Sequence, residues 1–565
     1  MVRVIRFLVL VLIMAALTGA EQAQQPAKPF IMPVKGDPGT QSWLLGQPYG
    51  NTVGSYNFGR YWYGAGQGLH FGIDISMPCG TELVAVADGQ VMFVDDLGFG
   101  SAPHNLILWH EAEGVTTLYG HLLDRAPLVA GQKVYQGQVI GYSGDPDLTC
   151  RSRPHLHFEV RSLNYRTTFN PVSYIEAAWH SLALVGSFQY PLFVQDMQNP
   201  RRWVSLEDQP DVSFGGAILN NYTAAVPARS AERPPQSAPL ARALDPLPEG
   251  AAVNLRQATF DGCCPAPEWH PTDPLRFSAI DGNSSSGSFV VDWLINAEDG
   301  AISAAVAEPA PPPYYSSDRT HAVRFVNGQS TVTRVSDGAS WPVNTAGVPP
   351  VFSPNSQRLL WIEARGVSVP GSPPPQVAVR VSDPLGENAI TIIEGAGINA
   401  QWLDDTRLLL SRTENRINTL WTVDVLSGAQ VQLGAYYNLR GLSVAPGGGR
   451  LLFYLTFQED AALNGMYTIE TREGAQVIKL PWFGGWRWRD ADSVYFVPFD
   501  FTTDRHTLAY YHFPSGEQRT LTNPATLPFT IANGAWDVAA DGSRIVFQSA
   551  ADNNLWLMEI VQPGS

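Results

Sequence analysis

The chain is poor in cysteine and in basic residues. Four cysteines occur in 565 residues, and none has the C-x-x-C spacing of a structural zinc site. The 36 lysines and arginines are outnumbered by 52 aspartates and glutamates, so the net charge is −16. A strongly acidic chain is a poor match for nucleic acid or anionic lipid, and we expect neither as the main partner. The 44% hydrophobic and 11% aromatic residues are enough for packed cores.

Long apolar runs are also missing, except near the N-terminus. Arg3 and Arg6 precede an apolar run over residues 7–17, and small residues follow at 18–20. This pattern is typical of a signal peptide over residues 1–20, with an uncleaved membrane anchor as the alternative. We therefore expect an extracytoplasmic protein, either secreted or associated with the cell envelope. Membrane contact is expected only if the signal stays uncleaved.

Export makes the four cysteines candidates for disulfides. Cys79 and Cys150 fall in the same region of the chain, and we expect them to pair with each other, with buried free thiols as the alternative. Cys263 and Cys264 are adjacent, which leaves three alternatives open. They form a strained vicinal disulfide, pair elsewhere or stay reduced.

The chain is too long for one domain, because single hydrophobic cores stop growing at roughly 250–300 residues. Residues 29–179 alternate short β-segments with Gly, Asp and Pro turns and almost lack helical periodicity, which predicts an antiparallel β domain. Residues 180–250 contain a stretch rich in Pro, Ala and Arg. This composition predicts a partly ordered segment and linker.

Residues 251–562 carry a weak repeat in which a turn and a polar or basic residue precede a hydrophobic strand. Clear copies lie at 352–361, 444–453 and 540–547. The period of about 40–50 residues is that of a four-stranded propeller blade. The repeats resemble those of the TolB-like propeller family, whose blades carry a W-S-P-D-G-x-x-L-x-F type signature. Seven anchors, most of them degenerate, predict six or seven blades; an array of two-sheet sandwiches is the alternative.

The segment 155–160, His-Leu-His-Phe-Glu-Val, is predicted to be a strand with two unlike faces. Period two places its apolar residues on one face and His155, His157 and Glu159 on the other. Two imidazoles side by side suit a metal ion and a proton-transfer partner. An isolated H-x-H is more often structural, and Glu159 is slightly better explained as a solvated residue than as a partner of the histidines.

An H-x-x-x-D motif lies upstream at His70 and Asp74. On a straight strand these residues would lie about 13 Å apart, but Gly72 permits a bend that brings them together. Zinc accepts nitrogen and carboxylate ligands, and a catalytic zinc site has three protein ligands and one open position. His70, Asp74 and one histidine of H-x-H supply three ligands. His121, in Y-G-H-L, would be unremarkable alone.

The order of the three motifs closely resembles the signature of the lysostaphin/LytM-type zinc endopeptidases: H-x-x-x-D, then Y-G-H-L, then H-L-H-F-E. The resemblance covers residues 30–178. The resemblance implies a duplicated hybrid motif fold and one zinc ion (Zn2+) per chain. It assigns His70, Asp74 and His157 as metal ligands and His121 and His155 as the catalytic proton-transfer residues. The fold class expected for the whole chain is mainly β, with an antiparallel β-sheet peptidase domain followed by a six- or seven-bladed β-propeller.

The resemblance also implies a function. It predicts a secreted zinc metalloendopeptidase that hydrolyses stem or cross-bridge peptides of bacterial peptidoglycan. The propeller would bind substrate or a partner, either a protein or the cell wall. The alternative is a non-catalytic, peptidase-like regulator or activator of another cell-wall hydrolase.

The chain departs from the family pattern in the loop before H-L-H. Family members have a small loop rich in Gly, Ser and Thr, whereas this chain has Thr149-Cys150-Arg151-Ser152-Arg153-Pro154. We expect the two arginines at the mouth of the groove to favour an acidic residue in the substrate.

Overall fold

The structure is a computed structural model that describes residues 27–52, 54–55, 59, 62–185, 206–219, 252–260, 262–283, 287–309, 314–326, 328–365 and 376–561. The predicted signal peptide and most of the predicted linker lie outside these residues. The mainly β fold class is confirmed. Helices are short: α1 (Trp179–Ala183) and the 3-10 helices Gly64–Gly66, Leu97–Phe99, Pro171–Ser173, Leu206–Asp208, Pro446–Gly448 and Ala461–Leu463. In the described part of the chain, no helix has the length and apolarity needed to cross a membrane.

The first part of the chain forms a nine-stranded antiparallel sheet and a two-stranded ribbon. Its strands are β1 (Leu44–Gln47), β2 (Ile73–Ser76), β3 (Glu82–Val84), β4 (Gly89–Val94), β5 (Asn105–His110), β6 (Val115–Gly120), β7 (Lys133–Val134), β8 (Val139–Tyr142), β9 (His155–Ser162), β10 (Thr167–Phe169) and β11 (Val212–Ser213). The main sheet has the order β1-β2-β9-β6-β5-β4-β7, with β10 paired to β9 and β11 to β10, and β3 pairs with β8 in the ribbon. Strand β9 is therefore held between β2 and β6.

The alternation predicted for residues 155–160 is confirmed in β9. Leu156, Phe158 and Val160 are all 0% exposed and belong to the core of the sheet domain. Their burial anchors the strand, since a fully buried side chain of this kind contributes about 1.5–3 kcal/mol. Because side chains alternate along a strand, His155 and His157 are fixed on the opposite face.

The predicted Cys79–Cys150 disulfide is present. It connects the turn after β2 to the loop that precedes β9, so it braces the two segments that flank the histidine face. Cys263 and Cys264 are paired with each other, which selects the vicinal pair among the three alternatives.

The second part of the chain is a ring of seven four-stranded sheets, so the propeller has seven blades and the sandwich alternative is wrong. The blades are β13–β16 (Glu268–Trp269, Arg276–Asn283, Gly287–Ile295, Ile302–Pro309), β17–β20 (Tyr314–Tyr315, His321–Val326, Gln329–Arg334, Ser340–Val343), β21–β24 (Val351–Phe352, Leu359–Arg365, Gln376–Ser382, Ile390–Ala396), β25–β28 (Ile398–Trp402, Arg407–Glu414, Ile417–Asp424, Gln430–Tyr437), β29–β32 (Leu439–Val444, Arg450–Leu455, Gly465–Glu470, Ile478–Lys479), β33–β36 (Gly484–Trp488, Ser493–Pro498, Ala509–His512, Glu517–Thr520), and β12 (Ala252–Gln257) with β37–β39 (Ile531–Val538, Arg544–Ser549, Leu555–Val561). In the last blade the first propeller strand pairs with the last, Ala252 opposite Val561. This pairing closes the ring.

The propeller packs directly against the sheet domain. The backbone N–H of Phe457 donates to the Thr40 carbonyl at 2.8 Å, and the N–H of Ser181 donates to Asp504 Oδ1 at 2.9 Å. Leu44 of β1 lies in a buried cluster that otherwise consists mostly of propeller residues. The described residues 206–219, within the predicted linker region, extend the sheet domain through β11.

His506, a buried histidine of the propeller, makes the stability of the fold depend on pH. Its Nδ1 accepts the N–H of Ile531 at 3.0 Å, and burial lowers its pKa to about 3. Because the folded-state pKa lies below the unfolded value of about 6.5, stability is lost as pH falls below 6.5. Between pH 7 and pH 5 this histidine should reduce the free energy of unfolding by about 2 kcal/mol.

Urea unfolding at the two pH values, followed by tryptophan fluorescence, measures this loss. In His506→Gln, which cannot titrate, the decrease should be smaller by about the same 2 kcal/mol. Equal pH dependence in the variant and the parent protein would show that His506 is not the group responsible.

Candidate metal centre

The register between β2 and β9 brings the two predicted motifs together. Asp74 lies directly opposite His157, so their side chains share one face of the sheet. His70 precedes β2, where it forms a bridge with Gly50. Gly72 is required for close approach, because a Cβ there would lie 2.7 Å from Cε1 of His157. The bend expected at this glycine lets His70 reach the same point as Asp74.

Three side chains converge at this point. Asp74 Oδ1 lies 2.8 Å from His157 Nδ1 and 3.4 Å from His70 Nε2. The ligand atoms of the three residues all lie within 4.8 Å of one another, and the group could hold a metal ion. His70 Nδ1 donates to the Pro48 carbonyl at 2.6 Å, which leaves the lone pair of Nε2 facing the other two residues.

His121 and His155 stand beside this group. His121 follows β6, and its Nδ1 donates to the Ala102 carbonyl; Nδ1 of His155 donates to the Arg153 carbonyl at 2.7 Å. In both rings the proton is thus on Nδ1, and Nε2 carries the lone pair. The Nε2 atom of His155 lies 3.8 Å from Asp74 Oδ1. The two rings are 4.8 Å apart. Burial, followed by the neighbouring His155, lowers the pKa of His121 to about 3, so its ring is neutral at neutral pH.

The electrostatics of the centre favour an ionised carboxylate. Burial alone would raise the pKa of Asp74, but the adjacent His70 and His155 hold it well below its usual range. Burial lowers the pKa of His157, but hydrogen bonds to Asp74 and Glu159 outweigh this effect and raise it to about 9. At neutral pH His157 therefore carries a proton on both nitrogens, and a metal ion that binds at Nδ1 would displace the proton shared with the anionic Asp74.

The favoured interpretation of Glu159 as a solvated residue is wrong. Its side chain is 0% exposed, and it accepts a hydrogen bond from His157 Nε2 at 3.1 Å and two from Arg161 at 2.6 and 3.0 Å. The Arg161 guanidinium in turn lies over the rings of Phe99 and Phe214. These aromatic residues from remote segments cover the polar face of β9. Glu159 therefore fixes the orientation of the His157 ring.

All five predicted site residues are neighbours in the structure. His70, Asp74 and His157 form one group, and His121 and His155 lie next to it. Their assignment as ligands and as proton-transfer residues stays a prediction. The predicted disulfide holds the adjoining loop, where the Arg153 side chain is exposed and lies 3.5 Å from Asp147.

Residues 68–171 match the profile of Peptidase family M23. This segment is an M23 peptidase domain. It contains all five predicted site residues. The predicted family is thereby confirmed for the first part of the chain, and a propeller follows it.

Comparisons with known proteins align with different parts of the chain. The M23 region is 30% identical over 139 residues to the glycyl-glycine endopeptidase ALE-1 of Staphylococcus capitis, covering 24% of this chain and 36% of that protein. It is 43% identical over 107 residues to the DD-carboxypeptidase/endopeptidase Mpg of Neisseria meningitidis serogroup B, covering 19% and 22%. The solved structure of TolB from Acinetobacter baumannii aligns with 50% of this chain and 79% of that one, at 12% identity and a TM-score of 0.27. The chain thus spans about a third or less of the length of these two peptidases.

Proposed function

We propose that this protein is an extracytoplasmic zinc metalloendopeptidase that hydrolyses peptide cross-links of bacterial peptidoglycan. The observation that carries the proposal is the convergence of His70 Nε2, Asp74 Oδ1 and His157 Nδ1 beside His121 and His155. The names of the similar proteins, a glycyl-glycine endopeptidase and a DD-carboxypeptidase/endopeptidase, support the substrate class. The propeller would bind substrate or a partner protein.

The donor set suits zinc. Two imidazole nitrogens and one carboxylate oxygen match the ligands of a catalytic zinc site, which keeps a further position open. The hydrogen bond from His70 Nδ1 to a backbone carbonyl and that from His157 Nε2 to Glu159 are the outer contacts that orient metal-binding histidines. Zinc, when bound, would polarise the scissile carbonyl and lower the pKa of a water molecule toward about 7.

The two remaining histidines move protons. His121 is held by the Ala102 carbonyl, so its neutral Nε2 is available to accept a proton from the attacking water. His155 Nε2 faces the same space as a lone pair. It would donate to the tetrahedral oxyanion or to the leaving amine only after protonation, and the proton released by the attacking water supplies it. The backbone carbonyls at Nδ1 hold both rings in the tautomer that this transfer requires.

Digestion of purified peptidoglycan tests the proposal. The protein without its signal segment is incubated with cell-wall sacculi, and the released muropeptides are analysed by mass spectrometry. We expect cleaved cross-links with new amino termini, about one zinc per chain and loss of activity with a chelator that zinc restores. A folded, zinc-loaded protein that releases no peptides would contradict the proposal and favour the non-catalytic regulator.

Glu159 should control zinc affinity. Replacing it with glutamine keeps the size of the side chain but removes the charge that anchors Nε2–H of His157. Outer-shell partners of this kind are worth about 10–100-fold in metal affinity, and we expect a loss in this range. Competition with a chromophoric chelator measures the zinc dissociation constant.

The control for this variant is Glu82→Gln. Glu82 is a partly exposed residue of β3, paired with Lys35 away from the centre, and its replacement should leave zinc affinity unchanged. Because Glu159→Gln also removes a charge partner of the buried Arg161, circular dichroism must establish that the variant is folded. A folded variant with the parental zinc affinity would refute the orienting role of Glu159.

A further inference from the structure

A propeller arginine contacts the strand that carries Asp74. Arg440, in β29, donates from Nη2 to Ser76 Oγ at 3.0 Å. Ser76 lies opposite His155 in the register of β2 and β9, and two residues from Asp74. The serine hydroxyl therefore belongs to the same sheet face as the metal-binding group. A charged propeller side chain ends on the face where the peptidase chemistry is expected.

The distance from this guanidinium to the metal centre suits a bound peptide. Same-face neighbours on a strand lie roughly 6.5–7 Å apart, so the Arg440 guanidinium lies within roughly 10 Å of the Asp74 carboxylate. An extended peptide covers that span with about three residues. A substrate whose scissile bond lies at the metal centre would thus place a nearby residue at Arg440.

A second propeller arginine lies close to the first. Arg416 lies in the turn before β27. Its Nη1 donates to the carbonyl of Cys150, in the loop that precedes β9, at 3.5 Å. The backbone carbonyl of Arg416 accepts the N–H of Asn438, two residues before Arg440, at 2.9 Å. A carboxylate bound beside the two guanidinium groups would offset their mutual repulsion, as Asp145 already does in part for Arg416.

Both guanidinium groups are held in place by aromatic rings. Arg440 stacks on Phe457 at 5.2 Å, and Arg416 stacks on Tyr437 at 5.3 Å. Both side chains are half-buried. A stacked, partly desolvated guanidinium loses little freedom when it binds a carboxylate, and its two parallel N–H groups match the two carboxylate oxygens. The chain as a whole carries −16, so local arginines are what an acidic substrate would need here.

We propose that Arg440 and Arg416 form a carboxylate-binding subsite, through which the propeller supplies one end of the peptidase groove and selects acidic peptides. The inference rests on the proposed function, since it assumes that a peptide lies across the metal centre. It assigns the propeller a direct part in substrate selection. Arg440 is then a specificity-determining residue that lies outside the M23 domain.

Two synthetic stem peptides test the subsite. They are identical except that one carries a free side-chain carboxylate and the other the corresponding amide. The full-length zinc-loaded protein should prefer the acidic peptide in kcat/KM by about 10- to 100-fold, the range expected for a hydrogen-bonded charge. Arg440→Gln should lose this preference, because KM rises more for the acidic peptide than for the amide. Arg440→Lys should retain part of the preference.

Arg412→Gln is the matched control, because Arg412 is an exposed arginine of β26 in the same blade as Arg416. It should leave both peptides unaffected. Equal losses on both peptides in Arg440→Gln would identify a brace between the domains and overturn the subsite. An undiminished preference for the acidic peptide would overturn it as well.

Binding separates failure of the subsite from failure of the proposed function. If the parent protein hydrolyses neither peptide, the endopeptidase proposal fails, and calorimetric titration with the same two peptides decides the subsite. Tighter binding of the acidic peptide that is lost in Arg440→Gln supports it. Equal affinities for the two peptides refute it.

Discussion

Replacing His157 with alanine is expected to abolish both zinc binding and peptide hydrolysis. The variant keeps His70 and Asp74 but loses the nitrogen that lies 2.8 Å from the Asp74 carboxylate. Two protein ligands are too few for a catalytic zinc site. Because a bound metal supplies several kcal/mol of charge stabilisation in the transition state, kcat/KM should fall on the order of 10³-fold or more. Metal analysis after dialysis and release of muropeptides are the two measurements.

His104→Ala is the control for loss of the ligand. The His104 side chain lies in the same domain, and its Nδ1 is 2.9 Å from the Asp95 carboxylate. It is not part of the candidate metal-binding group. The control variant should keep stoichiometric zinc. If His157→Ala retained zinc with parental affinity, the assignment of this histidine as a ligand would be wrong. Removal of Asp74 or His70 should reproduce the phenotype of His157→Ala.

Replacing His121 with alanine should separate catalysis from metal binding. The variant keeps all three predicted ligands, so its zinc content should be unchanged. It loses the imidazole whose Nε2 is available to accept a proton, and a positioned general base contributes about 10²–10⁴-fold. We expect kcat to fall within this range while KM changes little. Steady-state kinetics on a defined cross-bridge peptide, together with metal analysis, measure both quantities.

His512→Ala provides the comparison, because His512 lies in the propeller and contacts Ser515. It should leave kcat and zinc content at the parental values. His155→Ala is expected to resemble His121→Ala, since the two rings face the same space. Loss of zinc together with activity in His121→Ala would mean that this histidine is a ligand.

The grouping of the five predicted side chains could be anticipated from the sequence because much of the relevant information is local. Strand periodicity places His155 and His157 on one face of β9, and burial of the alternate residues fixes that face on the side away from the main core. The motifs at residues 70–74 and 121 add the remaining side chains. The packing of β2 against β9 then brings together residues that lie more than 80 positions apart.

The environment of Glu159 is not local in this sense. A charged residue on the polar face of a strand is usually solvated, and nothing within residues 155–160 indicates otherwise. Its burial comes from Arg161 together with Phe99 and Phe214, which approach from separate segments. An alternating pattern identifies the face of a strand but not what covers that face.

The number of blades shows the same limit. Degenerate repeats leave six or seven as alternatives, because each strand pattern describes only its own blade. Ring closure settles the number, through the pairing of Ala252 with Val561 across the whole length of the propeller. Closure depends on the geometry of all blades together.

By itself, the sequence indicated the mainly β class and the Cys79–Cys150 pair, and its resemblance to a known family assigned the five residues of the candidate site. Local periodicity and turn residues are enough for the fold class, and the order of the motifs carries the resemblance. Only the tertiary structure decided that Glu159 is buried, that seven blades close the ring, and that Arg440 lies against Ser76. Each of these depends on the packing of segments far apart in the chain, where complementary shape and charge determine which side chains meet.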